Sequence, residues 1–481
     1  NNGTDGLVAA RHLKNVFCFC VDKNLKKSPL FERQEKIALN LGIKFLDKKP
    51  NFQSFDCIIE CIFGSGFNKE VSSNLKALIA EANESRALKI ACDMPVNLGF
   101  EPCFNATITA TMGAIKENLL EDYAKESVGK IKCVNLGLNS SLYAPNSNCF
   151  LLEKGDLELI ERKKSANKGD FGHGFICASA SAGTLAGLGA LNFGAGLISL
   201  VGAKPFSPLI MQKERIDESA NAVALGMGLD DLSVLNEPLL EKIPVILDAN
   251  AFKSSQIRPF LQRQNVILTP HPKEFARLWK IAFDENISSE QIQKNRFFYA
   301  DKFAQNFECV LILKGANTII AQCGQKFVCT LGNAALAKGG SGDALAGMIL
   351  ALICAKFSPL NAAKNAVLAH ALVAKKWRFS PNSFDALKLI GAKMLVKLAV
   401  LFSGNGSNLQ NLLEKLHRKR FGDNEFEVVL CLCNNKNAYG IERARKFKLE
   451  SVIIEHKNFA CREDFDRALV SEIQKSGADL A

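Results

Sequence analysis

A chain of 481 residues, 48% hydrophobic and 23% charged, has ordinary globular composition, which excludes a disordered or collagen-like polymer and leaves room for about three domains. Its 16 cysteines are far too sparse for a disulfide-stapled secreted scaffold, no secretory signal is read at the start, and a reducing, cytoplasmic setting is expected. An excess of 60 basic over 49 acidic residues suits anionic small molecules such as nucleotides, whereas 8% aromatics speaks against a base-stacking nucleic-acid surface.

The chain opens with NNGTDGLVAARHLKN, a glycine-rich turn running into a helix whose Leu7, Val8 and Leu13 share one face, followed by the strand VFCFCV. A parallel βαβ unit needs a strand before such a turn, so an N-terminal strand is expected to be missing. Helix EKIALNLG, strand FDCIIECIF, helix NLKALIAEA and strand LKIACD follow, an alternation that predicts a parallel sheet with crossover helices. Ligands of such sheets bind where strands end and loops begin. Three polar clusters fall there: NNGTDG, ECIFGSGF at 60–67 and CDMP at 92–95.

These three motifs resemble the NAD(P)H-hydrate epimerase domain, whose pattern is NNGGDG with VAARHL, a D-A-L-F-G-T-G turn and a D-I-P-S-G turn. The resemblance implies a Rossmann-like lobe over 1–149 in which Asn1, Asn2, Gly3, Thr4, Asp5, Gly64, Ser65 and Gly66 contact a hydrated nicotinamide nucleotide. It also implies Asn2 and Glu60 as potassium ligands and Asp93 as the acid/base residue, a task suited to a carboxylate. Three positions depart from the pattern: Glu60 replaces an Asp, Val96 a Ser and Thr4 a Gly. Val96 offers no oxygen to a cation.

The stretch 174–203 carries no charge and is long enough for a membrane span, but its seven Gly, three Ser, one Thr and one Asn predict strand GFICAS, helix TLAGLGALNF and strand GLISLVG instead. Further on, LGNAALAKGGSGDALAGMILALI places Gly339, Gly340, Ser341 and Gly342 where successive N–H groups can converge on an anion, with a helix expected to start near Asp343 and point its positive end at the same spot. Asp343 is then positioned to take a proton from a hydroxyl attacking phosphorus.

With this glycine turn, 150–393 resembles the ribokinase-like proteins, which implies an αβα sandwich. KGDFGH, FGAGL, GMGL, LDANAF, TPHPKEF and LKGANT occur in that order, and together they closely resemble the ADP- or ATP-dependent NAD(P)H-hydrate dehydratase. The resemblance implies that Lys314, Gly315, Ala316, Asn317 and Thr318, with Gly339 to Gly342, hold the adenine nucleotide, and that Ala195, Gly228, His271 and Asp343 line the hydrate site. His271, between two prolines, also suits a simple helix cap. Asn250 stands where the family has an Asp. A small-molecule kinase of the thiazole or pyridoxal type and a nucleotide-sensing module are the alternatives.

At 394–481 the sequence restarts with MLVKLAVLFSGNGSNLQNLLEKL, a strand, glycine turn and helix that open another doubly wound unit. With CLCNNKNAYGIERA it resembles the first half of phosphoribosylglycinamide formyltransferase, which implies that Gly406, Ser407 and Asn408 receive a substrate phosphate at a helix N-terminus. The family's catalytic positions lie beyond the segment, so no formyl transfer is expected, and Met394 suits the start of a separate reading frame. His417, beside Arg418 and Lys419, is expected in a solvated loop. Taken together, the sequence predicts a repair enzyme for hydrated NADH and NADPH that uses ADP or ATP, Mg2+ and K+. Its expected partners are small molecules and copies of itself, without nucleic acid or membrane.

Overall fold

The computed structural model describes residues 2–22, 27–67, 69–158, 160–376, 386, 394–421, 424–459 and 461–478. The chain divides into two compact units, Asn1–Ile390 and Gly391–Ala481.

The first unit begins with an all-parallel region. Strands β1 (Phe17–Phe19) and β2 (Lys44–Leu46) pair with each other, and β3 (Cys57–Glu60), β4 (Leu88–Cys92), β5 (Ile108–Met112) and β6 (Lys130–Val134) form a sheet in that order. Its crossover helices start at serines: Ser28 Oγ accepts from the Phe31 amide with Pro29 as the first helical residue, and Ser72 Oγ accepts from Leu75. The expected N-terminal turn is helical instead, from Asn2 to Ala10. Asn2 anchors that helix by donating to the carbonyls of Phe63 and Cys92, at 2.6 and 2.7 Å. Because the helix ends at Ala10, Leu13 leaves the buried face and is exposed, while Leu7 stays buried.

Ten strands build the larger sheet: β7 (Cys149–Leu151), β8 (His173–Cys177), β9 (Leu197–Val201), β10 (Met211–Lys213), β11 (Ala222–Leu225), β12 (Val245–Leu247), β13 (Val266–Leu268), β14 (Val310–Leu313), β15 (Thr318–Gln322) and β16 (Gln325–Cys329). Their order is β10-β9-β8-β11-β12-β13-β14-β15-β16-β7, parallel except at β14-β15 and β15-β16. Every residue of β11, β12, β13 and β14 is buried, as parallel strands covered on both faces require. Side chains alternate between two cores: Ile176 packs with Ala186, Leu350 and Val367 on one face, Phe175 and Cys177 with Phe252, Phe275 and Trp279 on the other. This is an αβα sandwich.

The uncharged stretch forms β8, helix Ala180–Asn192 and β9, and no helix among the described residues is long and apolar enough to cross a membrane. Helix Ser341–Cys354 crosses helix Ala180–Asn192 at backbone contact, since a Cβ on Gly347 would lie 1.9 Å from the Ala186 carbonyl oxygen. That contact holds the glycine turn at the start of the second helix against the body of the domain.

In the second unit β17 (Met394–Phe402), β19 (Asn424–Cys433) and β20 (Ser451–Ile453) run parallel, and β18 (Lys419–Phe421) turns back along β19. His417 is not in a solvated loop: the chain leaving helix Ser407–Lys415 returns against β19, which buries the ring and lets Nδ1 accept from the Val428 amide at 3.0 Å.

Candidate functional site

The C-terminal ends of β11 to β14 bring together residues far apart in the sequence. Asp248, directly after β12, is buried and accepts from Lys314 Nζ, directly after β14, at 2.9 Å. Lys314 Nζ also lies 3.8 Å from Glu274 Oε2. Burial opposes the Lys314 ammonium, but Asp248 and Glu274 outweigh it and raise its pKa.

The glycine turn runs over this pair. A Cβ on Gly342 would sit 3.5 Å from Lys314 Nζ and 3.8 Å from Asp248 Oδ2, so a side chain there would fill the space above the charges. Gly340 takes a left-handed φ of 84° and caps the helix, which starts at Ser341, two residues before the expected Asp343. Asp343 therefore belongs to the first helical turn, beside the free N-terminal amides. Burial, then the Asp248 charge, push its carboxyl up to about 6, with Lys314 opposing. A carboxylate poised there is a base matched to neutral pH.

Behind the turn stands His370, buried on helix Pro359–Lys376, with Nε2 3.1 Å from Ser341 Oγ and 3.0 Å from the Ser341 carbonyl oxygen. Burial lowers its pKa to about 4, so it is neutral at physiological pH.

His271 takes the role of a helix cap. Its Nδ1 accepts from the Lys273 and Glu274 amides at 3.2 and 3.4 Å, capping helix Pro272–Phe283, while Nε2 lies 3.3 Å from Glu274 Oε1. Burial foremost lowers its pKa; the neutral ring keeps the Nδ1 lone pair for the cap. Gly228 follows β11 at the same sheet edge, where a Cβ would lie 2.6 Å from Ser179 Oγ.

Ala195 does not join them. It precedes β9, at the opposite end of the parallel strands, and is buried with its amide on the Ala190 carbonyl. The small residues that do reach Gly228 are Ser179, the N-cap of helix Ala180–Asn192, and Ala182 in its first turn. Asn250 is a structural clip, donating through Nδ2 to the Leu229 carbonyl at 2.9 Å.

Of the loop 314–318, only the Lys314 side chain reaches the charged cluster. Asn317 is buried, with Nδ2 donating to the Leu120 carbonyl and Oδ1 accepting from Lys125 Nζ, both at 2.7 Å. Thr318 opens β15.

In the N-terminal region Asp93, Gly64, Ser65 and Asn2 come together. Asp93 has a left-handed φ of 69°, and its Oδ2 accepts from the Ser65 amide at 3.0 Å. Oδ1 accepts from Lys116 Nζ at 2.5 Å and from the Met112 amide at 3.3 Å. Burial works against ionisation here, but Lys116 and the two amides prevail and lower the pKa. A Cβ on Gly64 would lie 3.0 Å from Asp93 Oδ2 and 3.8 Å from Asn2 Cβ. Thr4 is buried, Gly3 faces the Phe31 ring, Asp5 and Gly66 lie towards solvent, and Asn1 falls outside the described residues.

The potassium ligands expected from resemblance do not form a shell. Asn2 Oδ1 is a buried oxygen without a partner. Both Glu60 oxygens, however, accept backbone amides, from Ile62 at 2.6 Å and Val96 at 3.1 Å, and burial pushes this carboxyl up to about 8. Val96 adds an isopropyl group where an oxygen is needed. A hard cation bound by oxygens wants several of them, so this donor set does not fit. Nor do the described residues hold any group of three or more His, Cys, Asp or Glu suited to a metal.

In the tail, Gly406 caps helix Ser407–Lys415 with a left-handed φ of 67°. It packs so closely that a Cβ would lie 2.5 Å from Gly440 Cα.

Sequence reasoning missed Asp248, Glu274 and His370. Asp248 sits inside LDANAF, where Asn250 drew the attention; its position directly after a fully apolar strand was the available signal.

Three family models match: YjeF-related protein N-terminus over residues 1–118, NAD(P)H-hydrate dehydratase over 178–393 and formyl transferase over 396–481. A bifunctional NAD(P)H-hydrate repair enzyme of Helicobacter pylori is 38% identical over 400 residues, 79% of this chain and 84% of that one. Among solved structures, the ADP/ATP-dependent NAD(P)H-hydrate dehydratase of Bacillus subtilis, co-crystallised with ATP and Mg2+, is 33% identical over 48% of this chain and 91% of that chain, with a TM-score of 0.42. The phosphoribosylglycinamide formyltransferase of Campylobacter jejuni is 64% identical over 18% of this chain and 48% of that chain, with a TM-score of 0.18.

Proposed function

This chain belongs to the bifunctional NAD(P)H-hydrate repair enzymes, and from that membership we propose that it returns hydrated NADH and NADPH to the reduced coenzymes at the expense of ADP or ATP. The observation that carries this is the convergence of Asp343, Asp248 and Lys314 under the glycine turn.

Asp343 takes the proton of the ring hydroxyl as that oxygen attacks the terminal phosphorus. An O–P bond forms, the bond from the terminal phosphorus to the bridging oxygen of the nucleotide breaks, and ATP leaves as ADP, or ADP as AMP. The ring-nitrogen lone pair then expels inorganic phosphate from the adjacent carbon, and loss of a neighbouring C–H proton restores the double bond. The amides at Gly339 to Gly342 and the helix N-terminus stabilise charge on the transferring group, and Lys314 adds a positive charge that Asp248 and Glu274 hold in place. Mg2+ accompanying the nucleotide would supply further neutralisation of phosphate charge. Gly228 and His271 flank the hydrate.

In the N-terminal lobe Asp93 moves the proton that interconverts the two hydrate epimers, with Asn2, Gly64 and Ser65 around the substrate. Potassium contributes little there, because Glu60 is occupied by amides and Val96 supplies no ligand. In the tail, Gly406, Ser407 and Asn408 are assigned to a phosphoribosyl phosphate. The chain works in the cytoplasm and assembles with copies of itself, which light scattering would measure.

The test is incubation of the full chain with hydrated NADH and ADP or ATP, following NADH absorbance. Recovery is expected; a stable phosphorylated product would reveal a kinase instead, and nucleotide binding without turnover a sensor.

A further inference from the structure

The loop 314–318 rests on a buried ion pair whose acidic partner comes from the N-terminal lobe. Arg296, fully buried at the start of helix Arg296–Asn306, donates from Nη1 to Asp122 Oδ1 at 2.5 Å and to the Asn317 carbonyl at 2.8 Å, and from Nη2 to the Leu313 carbonyl at 2.9 Å. Asp122 is more than a counter-ion. Its Oδ1 also accepts from the Asn317 amide and its Oδ2 from the Ala316 amide, each at 3.2 Å, and Gln293 Nε2 donates to Oδ2 at 2.9 Å.

Between them lies Gly315, where a Cβ would come within 2.4 Å of Arg296 Nη2 and 2.6 Å of Asp122 Oδ2. The loop backbone is thus laid directly on the ion pair, in space that only glycine fits. The same N-terminal segment grips the loop at two more points and the start of helix Arg296–Asn306 at a third. Leu120 accepts from Asn317 Nδ2, Lys125 donates to Asn317 Oδ1, and Glu121 accepts the Arg296 and Phe297 amides at 3.3 and 3.2 Å. A charged carboxylate accepting several N–H groups in a desolvated place strongly constrains the backbone that carries them.

We propose that Asp122, a residue of the epimerase-side lobe, is a positioning residue for the nucleotide loop of the dehydratase site, so that nucleotide affinity at one active site depends on a side chain from the other lobe. This rests on the assignment of 314–318 to the nucleotide. Asp122 itself touches no reacting atom; it orders the Ala316 and Asn317 amides and, through the one-residue link at Gly315, the start of the Lys314 side chain.

The experiment uses the full chain with Asp122→Asn, which keeps the size but removes the charge. Because this leaves Arg296 buried without its counter-ion, Lys125→Met is measured in parallel; it cuts one grip on Asn317 and leaves the ion pair intact. For Asp122→Asn the KM for ATP should rise about tenfold or more, as expected for losing charged hydrogen bonds, with kcat and the hydrate KM changed by less than about threefold. Lys125→Met should raise the same KM by about threefold. Amide exchange at Ala316 and Asn317 should quicken in the nucleotide-free protein in both variants. A folded Lys125→Met protein with wild-type ATP KM and wild-type exchange at these amides, or an Asp122→Asn protein whose kcat falls while its ATP KM stays put, would overturn the proposal. Failure of the unaltered chain to bind ADP and recover NADH would instead overturn the nucleotide assignment itself.

Discussion

Two aspartates in one unit of this chain are driven in opposite directions. Asp343 sits at a helix start with Asp248 nearby, and burial and that charge lift its carboxyl to about 6. Asp93 is also partly buried, yet Lys116 and the Ser65 and Met112 amides hold it below the ordinary carboxylate range. Residue type alone does not set a carboxyl's chemistry: one is lifted towards neutrality, as the proposed base requires, and the other is held ionised by a lysine that must be displaced or must itself take part before protons move.

The sharpest way to break this contrast is Asp343→Asn. Turnover of hydrated NADH should fall by on the order of 10²–10⁴ with ADP affinity retained, since a general base is lost and the anion-binding turn kept. Single-turnover kinetics with a parallel ADP titration checks it, and an unchanged rate would remove Asp343 from the base role.

The next test moves the base without removing it. Dehydration by the unaltered chain should gain rate as pH rises through about 6. Asp248→Asn deletes one of the charges that raise Asp343, so the acidic limb of the pH–rate profile should move to lower pH, alongside a loss of rate from the weakened hold on Lys314. A limb that stays in place would mean that burial alone sets the Asp343 pKa.

On the other side of the comparison, Lys116→Met should raise the Asp93 pKa and shift the pH dependence of epimer interconversion upward. The unaltered lobe should show little or no stimulation by potassium, measured by interconversion rates in potassium against sodium buffers. Strong stimulation would show that the Asn2 and Glu60 oxygens suffice.

The smallest expected effect is thermodynamic. A raised carboxyl pKa means that the folded state favours the neutral acid, so the associated stability is complete below about pH 4 and lost as pH rises through about 6. Asp343→Asn, always neutral, should therefore melt a few degrees higher than the unaltered chain at pH 8 and at the same temperature at pH 4. Equal melting at both pH values would mean that Asp343 pays no burial penalty.

The strands, the crossover helices and the glycine turn with Asp343 were readable in the sequence because each is specified locally. Apolar runs such as VILD and LILK mark buried parallel strands, and clustered glycines mark a backbone that must bend or approach closely. What sequence order does not encode is which end of a sheet a loop reaches, and so FGAGL suggested Ala195 although it leads into β9 rather than out of a strand. Partners were equally hidden: Lys314 meets Asp248 across 66 positions, Ser341 meets His370 across 29, and Asp122 meets Arg296 across 174. The sequence by itself determined the elements and the residue types at the turns, since those follow from neighbours along the chain. Only the tertiary structure decided which carboxyl is raised, which is held ionised by a lysine and which segment packs under the loop 314–318, because pKa and position depend on charges and amides brought within a few ångströms from distant parts of the chain.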